Sequence, residues 1–205
     1  MKKIISFSLW GENPMYWIGA LKNIELAKVL YPDWVCRFYV DAAASSALIK
    51  TIDQADCEMI LMEPSEAFAG LFWRFYAAED ADIMICRDAD SRLSKREVDA
   101  VNQWLDTDHL FHIMRDHPQH TALIMGGMWG CRDTEGIKEL TDQYPYKCFK
   151  GTDQRFLAKI IYPQVKDHAV IHDSYQLFDD GTDFPTSRIN DEFVGKIVDQ
   201  DDAGY

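Results

Sequence analysis

Ile83-Met84-Ile85-Cys86-Arg87-Asp88-Ala89-Asp90-Ser91-Arg92-Leu93 is the stretch on which the reading of this chain turns. Four apolar residues form a short buried strand, and it stops on two carboxylates one residue apart. Side chains alternate along extended backbone, so Asp88 and Asp90 can point the same way. Two hard oxygen ligands at a strand end suit Mg²⁺ or Mn²⁺ carrying substrate phosphates. Ser94 and Glu97 then stand at capping-box spacing, and a helix is expected from there. The alternative for the pair is a solvated turn whose carboxylates bond nearby backbone N–H groups.

Outward from this stretch, the preceding 80 residues alternate regularly. Lys3–Leu9 reads as a first strand, followed by the turn Trp10-Gly11-Glu12-Asn13-Pro14. Trp17, Ala20, Leu21, Ile24, Ala27 and Tyr31 then recur at helical spacing up to Pro32. Val35–Val40 is a second strand ending on Asp41, and 45–54 a short helix. Glu58–Met62 is a third strand, followed by an aromatic helix from about Ala67 to Asp80. This β-α-β-α-β-α-β order predicts a parallel, doubly wound sheet, whose ligands bind beyond the carboxyl ends of its strands. Trp10, Asp41 and Asp88 all fall at such ends.

Beyond residue 93 the pattern predicts a helix at 95–105 and a strand at His109–Met114. The polar cluster Arg115-Asp116-His117-Pro118-Gln119-His120 comes next, then a strand-like run at Met125–Cys131. Helices near Thr134–Gln143 and Thr152–Ile161 precede a last strand ending at His172. A final edge strand is expected at Phe193–Val198.

Composition narrows the function. With 205 residues the chain can bury one substantial core without disulfides. Its 34 acidic and 21 basic residues give a net charge of −13, which disfavours nucleic-acid or anionic-membrane partners. A phosphorylated ligand stays admissible, because a divalent cation and a few arginines reverse the local field. The five cysteines at 36, 57, 86, 131 and 148 include no Cys-x-x-Cys pair, and a reducing compartment is the simpler reading. The apolar stretch at the start is too short for a signal segment, and no run reaches the roughly 20 apolar residues of a membrane span. A cytoplasmic location is therefore expected, the host cytoplasm for a viral chain.

Residues 71–93 resemble the GT-A glycosyltransferases, in which an Asp-x-Asp motif holds a metal against a nucleotide-sugar diphosphate. The resemblance continues in order through His112–Pro118, Gly126–Gly130, Gly151–Gln154 and His172–Ser174. It is closest to small bacterial and viral sugar transferases, including the chlorovirus capsid-glycan type. It implies an α/β fold: a single GT-A, Rossmann-like domain with a central, mostly parallel sheet flanked by helices. Residues 1–93 would be the nucleotide-binding half and 94–205 the donor-sugar and acceptor half.

Carried over residue by residue, the resemblance implies that Asp90 binds the metal directly. Asp88 would lie close to it or to the ribose, and His172 would be a further ligand. A histidine with two carboxylates suits Mn²⁺ better than Mg²⁺; a histidine merely bonded at a strand end is the alternative. Asp41 and Trp10 would flank the nucleotide, though Asp41 could simply cap a turn. Arg74, on an apolar helix, needs an anionic partner, either phosphate or protein. Gly126 and Gly127 would let backbone approach the donor sugar. Asp116 and His117 would line the sugar or acceptor pocket.

For the chemistry, inversion requires a base to deprotonate the acceptor hydroxyl. Asp153 is the first candidate and Asp116 the second; a retaining enzyme would need neither. The resulting expectation is Mn²⁺- or Mg²⁺-dependent transfer of a hexosyl or deoxyhexosyl group from a UDP-sugar to a glycan or other hydroxyl acceptor. The chain could act as one module of a larger glycosylation protein. The competing readings are a sugar nucleotidyltransferase or phosphohydrolase using the same acidic pair, and a non-catalytic carbohydrate-binding module. The turn after the first strand lacks the Gly-rich basic loop of nucleotidyltransferases.

Overall fold

The computed structural model describes residues 1–64, 68–132, 134–145 and 149–204. Strands β1 (Lys3–Leu9), β2 (Val35–Asp41), β3 (Glu58–Met62) and β4 (Ile83–Cys86) alternate with helices α1 (Pro14–Leu30), α2 (Ser46–Asp53) and α3 (Gly70–Trp73). Helix α3 runs on as a 3₁₀ turn through Arg74–Glu79. Then come α4 (Lys95–Leu105), β5 (Phe111–Arg115), β6 (Trp129–Cys131), α5 (Ile137–Gln143), α6 (Thr152–Phe156), α7 (Tyr162–Val165) and β7 (Ala169–Asp173). The strand order is β3-β2-β1-β4-β6-β5-β7.

Within this sheet β1 pairs in parallel with β2 and β4, and β2 with β3. Strand β6 runs antiparallel between β4 and β5, which restores β5 and β7 to the direction of β4. No helix intervenes between β5 and β6, so the chain turns back instead of crossing over. Two apolar layers cover the faces. One contains Phe7, Phe38, Trp17, Ile24 and Trp104; the other contains Phe72, Phe75, Trp129 and Phe156. Burying these rings supplies the main stabilisation of the sheet.

Helix α1 begins where the Asn13 side chain accepts from the Met15 N–H at 3.0 Å, with Pro14 in the first turn. Farther along, α1 positions the loop after β4. A Cβ on Gly19 would overlap the Ala89 carbonyl oxygen, so the helix backbone presses directly on that loop. Asn23 then clamps it, donating to the Ser91 carbonyl at 2.8 Å and accepting from the Leu93 N–H at 3.0 Å. An asparagine in an apolar helix face thus fixes the acidic turn.

Several expectations are corrected. The aromatic helix is four α-helical residues and a 3₁₀ turn; its predicted start at Ala67 lies outside the described residues, as does Cys148. Cys36, Cys57 and Cys86 are free thiols. Ser94 caps α4 by accepting from the Glu97 N–H at 3.3 Å, but Glu97 does not reciprocate. Its carboxylate instead takes bonds from Arg87 at 2.8 Å and Tyr31 at 3.1 Å. The run at 125–131 is a strand only from Trp129, because Gly126 and Gly127 follow two carboxylates rather than a ladder.

Residues 193–198 form no strand either. Their Val194 N–H goes to the Asp116 carboxylate and their Val198 N–H to the Asp90 carbonyl, each at 2.9 Å. The helix begun at Thr152 widens into a π turn at Leu157–Ile161 just before Pro163, which has no N–H for a regular ladder.

Candidate active site

Because β1, β2, β3, β4, β5 and β7 point the same way, Trp10, Asp41, Asp88, Asp116 and Ser174 lie along one edge of the sheet. This is the carboxyl edge on which the sequence reading centred.

Arg74 organises its middle. Two serines of β1, the polar positions in an apolar strand, hold its backbone. Ser6 donates to the Arg74 carbonyl at 2.7 Å, and Ser8 accepts from its N–H at 2.9 Å. The guanidinium is buried, with one amino group on the Asp88 carboxylate and the other 2.9 Å from the Asp153 carboxylate. Burial alone would lower its pKa, but the two aspartates outweigh burial and raise it. The arginine, the first residue of the acidic pair and the candidate base therefore form one unit. Its Nε, though buried, has no hydrogen-bond partner among the described residues.

Gly126 and Gly127 close over this unit. A Cβ on Gly126 would overlap the Asp153 carboxylate, and one on Gly127 the Asp88 carboxylate. Side chains are excluded there, which brings backbone within reach of the site.

The electrostatics are lopsided. Asp90 has no ion pair on its carboxylate among the described residues. Burial, and then the charge of Asp88, push its pKa up to about 7. Asp153 is raised too, by burial and by Asp88, with Arg74 opposing. Asp88 and Asp153 share one guanidinium while Asp90 adds a further negative charge, and an added cation would relieve the surplus. All-oxygen donors would suit a hard divalent ion, which Asp90 and Asp88 could hold. Among the described residues no group of three or more His, Cys, Asp or Glu side chains forms a metal cage. Two carboxylates with the rest of the shell left to phosphate and water is the usual arrangement for Mg²⁺-type ions.

His172 does not join them, which corrects the expectation of a histidine ligand. Its Nδ1 pairs with His112 at 2.8 Å and its Nε2 with Gln103 at 2.8 Å, so both ring nitrogens are taken. Burial, with Arg96 nearby, pushes its pKa down to about 4. The ring is a neutral strut between β7, β5 and α4.

Asp116 is corrected as well. Arg96 grips both of its oxygens at 2.8 and 2.9 Å, and Arg188 adds a bond at 3.0 Å. Ser174 donates at 2.5 Å and the Val194 N–H at 2.9 Å. Burial would raise its pKa, but these donors hold it below the usual carboxylate range. A fully buried, saturated carboxylate has no free lone pair for an acceptor proton, so it does not serve as the base. It ties the end of β5 to the chain that follows β7.

His117 stacks on Phe193, with ring centroids 4.3 Å apart. At the opposite end of the edge, Asp41 caps its own turn by accepting from the Ala43 N–H at 2.8 Å. Trp10 is half-buried, edge-on to Trp73 at 6.5 Å and packed over Gly70. Sequence reasoning missed Asn23, Arg188 and Phe193. Asn23 leaves a signal as a polar residue in an apolar stripe; the other two lie in a tail with no periodicity.

No family model and no curated protein matches this chain. Solved structures do. One is a glycosyltransferase involved in the glycosylation of the major capsid of PBCV-1 (TM-score 0.56, 15% identity, 85% of this chain and 83% of that one). A second is the mannosyltransferase PcManGT from Pyrobaculum calidifontis in complex with GDP-Man and Mn²⁺ (TM-score 0.56, 14% identity, 84% of this chain, 55% of that one). A third is glucosyl-3-phosphoglycerate synthase from Mycobacterium tuberculosis in complex with Mn²⁺, UDP-glucose and phosphoglyceric acid (TM-score 0.53, 11% identity, 92% and 72%). The chain has the fold of the GT-A glycosyltransferases. No helix among the described residues is long and apolar enough to cross a membrane.

Proposed function

We propose that the protein is a divalent-metal-dependent glycosyltransferase that moves a sugar from a nucleotide sugar, a UDP-sugar, to an acceptor hydroxyl. One observation carries the reading. A single buried arginine holds two carboxylates, Asp88 and Asp153, beside a third, Asp90, that it does not pair, at the carboxyl edge of a GT-A sheet beneath two glycines that keep side chains away. The metal-bound nucleotide-sugar complexes among the structures of this fold support it.

Asp90 and Asp88 would hold Mn²⁺ or Mg²⁺, which supplies charge neutralisation for the diphosphate leaving group. Trp10 and Asp41 would flank the nucleoside, and the backbone of Gly126 and Gly127 would face the donor sugar. The acceptor oxygen attacks the anomeric carbon while the bond from that carbon to the diphosphate oxygen breaks, its electron pair leaving with the nucleotide. The hydroxyl proton passes to the Asp153 carboxylate, whose raised pKa makes it the better base. Arg74 holds that carboxylate and Asp88 at a fixed separation. This chemistry inverts the anomeric centre.

A donor-hydrolysis screen tests the reading. Incubated with Mn²⁺ and a panel of UDP- and GDP-sugars, the protein should release the nucleoside diphosphate from one of them, and EDTA should abolish release. No turnover and no binding of any nucleotide sugar in the presence of metal would sink it.

A further inference from the structure

The loop that carries the acidic pair is held carbonyl by carbonyl. The Asp88 carbonyl accepts from the Ser91 N–H at 3.3 Å and from the Ser91 hydroxyl at 3.0 Å. The Ala89 carbonyl accepts from Arg92 at 3.2 Å, and the Ser91 carbonyl from Arg92 at 3.1 Å and Asn23 at 2.8 Å. The Asp90 carbonyl takes its bond from a segment distant in sequence, the Val198 N–H at 2.9 Å.

Val198 opens a short knot. Within it the Asp199 carboxylate accepts from the Asp201 N–H at 2.8 Å and the Ala203 N–H at 2.9 Å, and the Asp199 N–H donates to the Ala203 carbonyl at 3.0 Å. Two cations seat the knot. Arg92 donates to the Asp199 carbonyl at 3.0 Å and to the Asp202 carboxylate at 2.8 Å. Lys22 of α1 donates to the Gln200 carbonyl at 2.7 Å and to the same carboxylate at 2.6 Å. Lys22 first, and then Arg92, hold the Asp202 carboxyl below its usual range.

One guanidinium thus spans four acceptors, two carbonyls of the acidic loop and two groups of the knot. Its side chain is 15% exposed. Gly19 leaves the space it fills, since a Cβ there would stand 2.9 Å from the Arg92 Nη1. A lysine could not divide itself in this way, because it lacks the planar fork.

We propose that Arg92 is a positioning residue for the acidic pair: by seating the knot 198–204 on the loop, it brings the Val198 N–H to Asp90 and so sets the carboxylate that receives the metal. The positioning role rests on the reading of Asp88 and Asp90 as the metal-holding residues; the latch between loop and knot does not. Two variants test both. Arg92→Met keeps the aliphatic stem and removes all four contacts. Asp202→Asn takes charge from a half-exposed residue whose left-handed backbone, at φ 65°, asparagine also adopts, so folding is not at risk.

Hydrogen exchange at the Val198 amide, followed by NMR, should speed up in both variants. Affinity for Mn²⁺ in the presence of UDP, followed by electron paramagnetic resonance, should fall about tenfold in Arg92→Met, as when a group that orients a metal ligand is removed. In Asp202→Asn it should fall about threefold, because partly exposed ion pairs are worth little each. The urea midpoint of Asp202→Asn should stay near that of the wild type, which separates positioning from general destabilisation. Faster exchange with unchanged Mn²⁺ affinity would overturn the positioning role, and unchanged exchange in both variants would overturn the latch. A wild-type protein that binds no Mn²⁺ with UDP removes the metal reading and the positioning role with it, while exchange at Val198 still shows whether the latch holds.

Discussion

Two carboxylate–arginine clusters sit on the same sheet edge with opposite charge balance. Around Arg74, one guanidinium holds two carboxylates with a third, Asp90, left unpaired beside them among the described residues, and the pKa values of Asp90 and Asp153 rise. Around Asp116, one carboxylate meets two guanidinium groups, a hydroxyl and a backbone N–H, and its pKa falls. The first cluster is short of positive charge and suited to a ligand that brings some. The second is complete in itself and suited to holding two chain segments together. Both would read as buried aspartates in a list of candidate bases; only the count of partners separates them.

The largest effect expected from this contrast is on stability. Asp116→Asn leaves Arg96 and Arg188 without their shared counter-charge. Because removing one partner of a buried pair costs about 3–5 kcal/mol, urea denaturation should show a loss of about 3 kcal/mol, the arginines being partly exposed. An unchanged midpoint would mean that the hub does not tie the tail down. For Asp153→Asn the loss should be in rate: transfer should fall about 100-fold or more while nucleotide binding persists. Near-normal turnover would remove Asp153 from proton transfer.

Asp90→Asn should act in the reverse sense to Asp116→Asn. In metal-free buffer at pH 8 it should stabilise the fold by on the order of 2 kcal/mol, since it removes a desolvated charge beside Asp88. Destabilisation there would show that Asp90 already has a satisfied partner.

The smallest expected effect is the pH profile. Asp90 binds its proton more tightly folded than unfolded, so without metal its contribution is present at low pH. That contribution declines as pH rises from the ordinary carboxylate range to about 7. Asp116 is the mirror case: its contribution is present above the ordinary carboxylate range and is lost as pH falls below it. Thermal unfolding of the two asparagine variants across pH 3–8 separates the two slopes.

Legibility in the sequence follows the same division. The first four strands carry their own boundaries, because apolar runs end abruptly at Gly11, Asp41, Glu63 and Arg87. β1, β2 and β4, parallel strands buried in the sheet, leave that mark, and the edge strand β3 keeps it although Ile60 and Leu61 are exposed. Arg74 was readable as a charge that needed partners, and the structure supplies Asp88 and Asp153. What failed lies past β5. Whether 193–198 pairs as a strand depends on where Asp116 and Asp90 stand in space, which no local period encodes. His172 follows an apolar strand as a ligand would, yet both its nitrogens are spent on His112 and Gln103 from distant parts of the chain. Among acidic residues, burial was foreseeable but saturation was not.

Isothermal titration of Mn²⁺ with UDP into the wild-type protein and into Asp90→Asn tests the central claim, that the Arg74 cluster is completed by a divalent cation bearing a diphosphate. Binding of UDP to the wild type that requires Mn²⁺, and its loss in Asp90→Asn with the fold intact, is the predicted result. Equal Mn²⁺-dependent binding by both proteins, or none by the wild type, would contradict it.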